Sequence, residues 1–217
     1  MTAATRHLPV LVIGAGGHAR VVLALLRRLN REVLACVDAA GSHGPDHIAK
    51  VAVWHGDERV LDHAPGTVEL ANGIASTGRP ALRRAVFERF KAAGYSFPSL
   101  VDPAACVFDD AVLGEGCQVI AGAVVQTGAR IGANTLVNTR AVVEHDCAIG
   151  LHCHVAAGAV LSGGVTTGDA CHIGVGASVL QGVSIGAESV VGAGAAVIRD
   201  VAAGIVVVGV PACPLRR

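Results

Sequence analysis

The tripeptide Glu144-His145-Asp146 sets an imidazole between two carboxylates in a stretch otherwise dominated by aliphatic and small residues. A carboxylate bonded to one imidazole nitrogen fixes the tautomer and makes the other nitrogen more basic, which is what a general base requires. Side chains alternate along a strand, so a carboxylate reaches the ring only if the chain bends here. The spacing leaves open whether Glu144 or Asp146 does so. His152, His154 and His172 enlarge the group, and His154 and His172, eighteen residues apart, should stack at one corner of a repeating coil. A histidine cluster raises metal binding, but these spacings match no established ligand set, and no metal is expected.

A second chemical feature lies near the start. The aliphatic run Val10 to Ile13 is followed by Gly14-Ala15-Gly16-Gly17-His18-Ala19 and then by an amphipathic stretch, Val21 to Leu29. That order predicts strand, glycine turn and helix, a turn that lets backbone amides and the positive end of a helix approach a phosphate. Val33 to Val37 predicts a second strand ending at Asp38. This carboxylate lies some twenty residues after the glycines, where it can hydrogen-bond a ribose hydroxyl. Val68 to Ala71 predicts a third strand, and Arg79 to Ala93 a helix with Leu82, Val86 and Phe90 on one face. The unit is short for a complete dinucleotide-binding domain, so half of a Rossmann-like α/β fold gripping one nucleotide is expected, and not NAD. Pro98 and Pro103 mark the join to the second half of the chain, giving domains of residues 1–98 and 99–217.

The elements that carry His145 are set by a repeat. Counting every sixth residue from Val107 gives Leu113, Val119, Val125, Ile131, Val137, Val143, Ile149, Val155, Leu161, Thr167, Ile173, Val179, Ile185, Val191 and Val197, aliphatic at all but Thr167. Four residues after each stands a small or β-branched residue. A period of six does not fit a helix of 3.6 residues per turn but suits short strands joined by tight corners. Glycine follows the aliphatic position at Gly114, Gly132, Gly150, Gly168 and Gly186, eighteen apart, so three hexads make one coil. These glycines are expected to supply corner conformations with positive φ. The object implied is a three-sided parallel β-helix of about five coils, roughly 4.8 Å apart.

Composition agrees with such a lattice. The 217 residues are 52% hydrophobic but only 3% aromatic, with 28 glycines, so small aliphatics must fill the core. Seventeen basic and seventeen acidic residues cancel, and no basic run tracks a phosphate backbone, which argues against nucleic acid as a partner. No apolar stretch approaches the roughly 20 residues of a membrane span, and Met1 to Pro9 lacks the apolar core of a secretory signal, which predicts a cytoplasmic protein. Seven cysteines without a CxxC pair argue against a disulfide framework or structural zinc. Four of them, Cys117, Cys147, Cys153 and Cys171, occupy the small corner slot as compact hydrophobes.

The hexads resemble those of the hexapeptide-repeat acyltransferases, whose members wind as left-handed β-helices, and the left hand is expected on that ground. The match narrows with Gly14-Ala15-Gly16-Gly17-His18, Asn138-Thr139, Glu144-His145-Asp146-Cys147 before Ile149-Gly150, and the closing Val208-Gly209-Val210-Pro211-Ala212. Together these resemble sugar acetyltransferases of the sialic-acid and bacillosamine type. The resemblance implies N-acetylation of a nucleotide-linked amino sugar by acetyl-CoA, in a homotrimer with its cofactor cleft between β-helices; O-acetylation of a sugar is the alternative, and a non-enzymatic scaffold or metal-binding β-helix the third reading. It assigns His145 as base with Asp146 supporting it. It assigns Gly16, Gly17, His18, Asp38, Ala39, Gly73, Asn138 and Glu144 to the sugar nucleotide. It assigns His154, Gly163, Val175 and Ala193 to acetyl-CoA, with the Gly163 amide as the oxyanion donor. Departures from the family pattern are Ala193 for a frequent Gly, Cys213 for a frequent Lys, and Thr167 in the aliphatic row.

Overall fold

A computed structural model describes residues 7–39, 47–76, 78 and 80–215. The chain divides into two compact units, Met1–Ile74 with Val86–Pro98, and Ala75–Ala85 with Ser99–Arg217. The second unit therefore includes an eleven-residue excursion that the sequence had grouped with the first.

In the first unit β1 (Val10–Ile13), α1 (Gly17–Arg28), β2 (Val33–Asp38), β3 (His47–Ile48), β4 (Val51–His55), β5 (Glu69–Asn72) and α2 (Ala81–Ala92, whose first turn belongs to the other unit) follow in order. The sheet runs β3-β4-β2-β1-β5. All its pairings are parallel except β3 with β4. All four residues of β1 are buried, as an all-aliphatic strand covered on both faces should be. Helix α1 packs Ala19, Val22, Leu23, Leu25 and Leu26 against the sheet. Each such aliphatic side chain contributes about 1.5–3 kcal/mol by leaving water.

Strands β3 and β4 were not anticipated, because His47–Ile48 and Val51–His55 are short and carry no glycine or proline turn signal between them. In α2 the expected face is only partly right. Val86 and Phe90 are buried, but Leu82 is 65% exposed and the neighbouring Arg83 is buried instead. Arg83 Nε donates to the Asn134 carbonyl at 3.1 Å, and Asn134 Nδ2 donates back to the Arg83 carbonyl at 3.4 Å. These bonds hold the first turn of α2 on the second unit. Burial lowers the Arg83 pKa to about 10. The proposed helix start at Arg79 lies outside the described residues.

The second unit is a three-sided parallel β-helix. Two-residue strands pair in parallel with partners eighteen residues on, as Val124 with Val142 and Arg130 with Ala148. They build sheets of six, five and eight strands, the last closed by an antiparallel strand at Cys213–Pro214. Both hexad registers point inward. From Val119 to Val197 the aliphatic row is at most 8% exposed, Thr167 included, and the small row lies beside it in a single core. Cys117, Cys147, Cys153 and Cys171 belong to that core.

The corner glycines play a different part from the one expected. Gly114, Gly132, Gly150, Gly168 and Gly186 do not take positive φ. A Cβ on any of them would stand 2.4–2.6 Å from backbone of the next coil, so they are glycine for close stacking. The left-handed residue lies three after the inward aliphatic: Gly128, Asn134, Arg140, Asp146, His152 and Gly158 all occupy it. His154 and His172 are also relocated, since they pair across strands on the eight-stranded face and not at a corner. Among the described residues no helix is long and apolar enough to cross a membrane.

Candidate active site

His145 stands at the corner where the chain leaves the six-stranded sheet after Val142–Val143 and enters the five-stranded sheet at Ala148–Ile149. The backbone there is fixed by the coils on either side. Glu144 N–H bonds the Leu161 carbonyl at 3.0 Å, Gly164 N–H bonds the His145 carbonyl at 2.9 Å, and Asp146 N–H bonds the Thr127 carbonyl at 3.1 Å. Asp146 occupies the left-handed position with φ 58°, which Asp and Asn tolerate better than other L residues. That turn brings its carboxylate back to the ring, and His145 Nδ1 lies 2.9 Å from Asp146 Oδ2. Glu144 Oε2 instead accepts from the His145 backbone N–H at 3.4 Å. Of the two carboxylates, the one beside the imidazole is therefore Asp146. A carboxylate acceptor keeps the proton on Nδ1 and leaves the Nε2 lone pair available.

Two glycines make room for this pair. A Cβ at Gly163, one coil on, would stand 2.4 Å from His145 Nε2, and a Cβ at Gly128, one coil back, would stand 2.6 Å from Asp146 Oδ1. The ring thus lies directly over Gly163, whose N–H makes no hydrogen bond among the described residues. The His145 side chain remains 51% exposed. The Gly128 corner is tied from below, where Asp110 Oδ2 accepts from Thr127 Oγ1 at 2.6 Å and from Gly128 N–H at 3.2 Å. Those donors hold the Asp110 carboxyl below its usual pKa.

The remaining predicted residues of this unit gather elsewhere on it. Asn138, His154, Val175 and Ala193 line a groove of about 490 Å³ with Ser76, His172 and neighbouring small residues. Val175 and Ala193 share one corner with stacked, unpaired backbone amides among the described residues. His145 and this groove flank the six-stranded sheet on its two edges. Ser76 and His172 were not picked out from sequence as ligand contacts. The eighteen-residue step from His154 could have found His172, but nothing local marks Ser76.

In the first unit, Asp38 Oδ2 accepts from Ala15 N–H at 2.8 Å, closing the turn between β1 and α1. Gly16 caps α1 without a side-chain bond, and a Cβ on Gly16 or Gly17 would meet nothing within 4 Å. Among the described residues, the end of the helix is therefore uncovered at both glycines. Gly73 is close-packed: its Cβ would stand 2.8 Å from the Ile13 carbonyl. His18 opens α1, and Ala39 follows β2 in an exposed position.

A parallel β-helix of six-residue repeats bearing a carboxylate-supported histidine on its wall defines a hexapeptide acyltransferase. The family description "PglD N-terminal domain" matches residues 9–90. Among solved structures, a histidine-to-asparagine variant of perosamine N-acetyltransferase from Caulobacter crescentus, in complex with CoA and GDP-perosamine, is 35% identical with a TM-score of 0.88, over 99% of this chain and 100% of that one. The acetyltransferase domain of PglB from Neisseria gonorrhoeae is 33% identical with a TM-score of 0.88, over 95% and 99%. WeeI from Acinetobacter baumannii, at 24% identity and a TM-score of 0.84 over 96% and 100%, shares the fold. A search of curated protein sequences returns no significant match. The chain belongs to the hexapeptide-repeat sugar acetyltransferases, with an α/β domain preceding a left-handed β-helix.

Proposed function

We propose that the protein transfers the acetyl group of acetyl-CoA to the amino group of a nucleotide-linked sugar, with His145 as general base. The observation that carries the reading is the His145 Nδ1 to Asp146 Oδ2 bond of 2.9 Å, which leaves a basic Nε2 half-exposed above the unpaired Gly163 amide. The sugar amine attacks the thioester carbonyl while Nε2 takes its proton. The Gly163 N–H stabilises the oxyanion, and collapse of the tetrahedral adduct expels the CoA thiolate, which recovers the proton. Asp146 orients the ring and stabilises the imidazolium formed in between. No acetyl-enzyme is required.

The first unit binds the nucleotide. The helix end that begins with Gly16, Gly17 and His18 suits a phosphate, and Asp38 and Ala39 at the end of β2 suit the ribose, with Gly73 lining the same strand end. In the second unit Asn138 and Glu144 serve the sugar, while His154, Val175 and Ala193 serve the acetyl-CoA arm. The Caulobacter crescentus relative, bound to CoA and GDP-perosamine, supports both substrate classes.

A homotrimer completes the site. The outward residues of the six-stranded sheet, Cys106, Val124, Val142, Val160, Ser178 and Ala196, are all uncharged. Three copies packed around this face bring His145 of one copy toward the Val175 and Ala193 edge of the next, because the two lie on opposite edges of it. A cytoplasmic location is part of the same reading, and no helix among the described residues is long and apolar enough to cross a membrane. The test is CoA release by the wild-type protein on a panel of UDP-, GDP-, dTDP- and CMP-linked amino sugars and their hydroxy counterparts. Turnover of an amino sugar alone is expected, and release with hydroxy sugars only would overturn the N-acetylation reading.

A further inference from the structure

Leu136, His154, His172 and Val190 succeed one another up the eight-stranded face at the eighteen-residue step. The groove of about 490 Å³ rises beside them. Among the described residues its lining is aliphatic or backbone apart from Ser76, Asn138, His154 and His172, with no Lys, Arg, Asp or Glu. The four polar side chains form a chain of hydrogen bonds whose direction can be worked out.

Asn138 Oδ1 accepts from Thr139 N–H at 2.8 Å, which turns Nδ2–H toward His154 Nε2 at 3.2 Å. His154 Nδ1 lies 3.0 Å from the Ser76 carbonyl, which can only accept, so the His154 proton is on Nδ1 and the ring is neutral. Ser76 Oγ, 3.1 Å from the same Nδ1, shares that N–H as acceptor. Its own hydrogen can then be donated to His172 Nδ1, 3.5 Å away at the long limit of a hydrogen bond. In that arrangement His172 accepts at Nδ1 and carries its proton on Nε2, which has no partner among the described residues. Burial lowers the His172 pKa, and the ring, 9% exposed, is braced edge-on against His154 at 4.9 Å between centroids.

We propose that His172 Nε2–H is a fixed, uncharged donor that binds a neutral oxygen of a substrate lying in this groove. The proposal rests on the acetyltransferase reading above. A phosphate is a poor occupant, since no cation among the described residues lines the groove to replace its hydration. Two oxygens offer the right chemistry: an amide carbonyl of the pantetheine arm of CoA, and a hydroxyl of the acceptor sugar. The relay matters because it settles which nitrogen donates. With the tautomer reversed, His172 would present a lone pair and would repel a carbonyl.

The test is calorimetric titration of the full-length protein with CoA, and separately with the amino sugar nucleotide that the wild type turns over. His172→Phe keeps a ring against His154 and removes the donor, whereas His172→Gln restores an N–H near Nε2. The Phe variant should weaken one ligand by about 5- to 10-fold, as for loss of one hydrogen bond, with the Gln variant within about 3-fold of wild type. Weakened CoA binding assigns the partner to the pantetheine carbonyl, and weakened sugar nucleotide binding assigns it to the hydroxyl. A Phe variant that binds both ligands as wild type does, or a Gln variant as weak as Phe, overturns this proposal alone. A wild type that turns over no amino sugar nucleotide and binds no CoA overturns the acetyltransferase reading, and this proposal with it.

Discussion

Gly163 sits beneath His145 without needing glycine's backbone freedom, since its φ is not positive and its constraint is space. A methyl group there would occupy the position 2.4 Å from Nε2 and push the ring off Asp146. Gly163→Ala should therefore lower kcat by about 10², the scale of a misplaced reacting group, while the fold survives because the ring can swing into solvent. Steady-state kinetics of that variant check it, and wild-type kcat would show that the seat is not needed. The sequence made the triad of Glu144, His145 and Asp146 visible, since charged residues stand out in an aliphatic lattice. Which carboxylate serves the ring was not visible. It depends on a left-handed backbone at Asp146, and the positions that share this conformation carry Gly, Asn, Arg, His, Ala and Glu as well as Asp, so composition does not reveal it.

The hexads, by contrast, were fully legible, because both inward registers repeat through every coil and each feeds the same core. The reason for the glycines spaced eighteen apart was misread, for the sequence does not distinguish glycine chosen for conformation from glycine chosen for contact. The two cases predict different costs. Gly150→Ala would set a Cβ 2.5 Å from the Gly168 backbone and should destabilise by about 1–3 kcal/mol or more, as overpacking does. Gly158→Ala meets no atom within 4 Å but has φ 67°, and should cost only about 1 kcal/mol. Thermal unfolding of the two variants compares them directly, and an equal or reversed order would contradict the stacking account. In the α/β unit, β1, α1, β2 and β5 were readable from aliphatic runs and the glycine turn. Strand β4 was missed, and α2 was given the wrong buried residue in its first turn. The bonds between Arg83 and Asn134 span 51 residues of sequence, and no local pattern announces them.

At the scale of the molecule, the proposed function divides nucleotide recognition from acyl transfer, giving the first to the glycine turn before α1 in one unit and the second to the coil that bears His145 and Asp146 in the other. The proposed assignment of each task rests on the chemistry at each place: backbone donors at a helix end for a phosphate, and an imidazole beside an unpaired amide for a thioester. In the trimer proposed above, a neighbouring copy would add the remaining wall, since His145 and the groove occupy opposite edges of an uncharged face. All of this depends on His145 acting as the base. The most direct measurement is CoA release from acetyl-CoA and the preferred amino sugar nucleotide by His145→Ala, purified as a species that sediments like the wild type. A fall in kcat of about 10²- to 10⁴-fold is predicted for a lost general base. A correctly assembled variant retaining kcat within about 3-fold of wild type would contradict the account, since an effect that small is far below what general-base catalysis contributes.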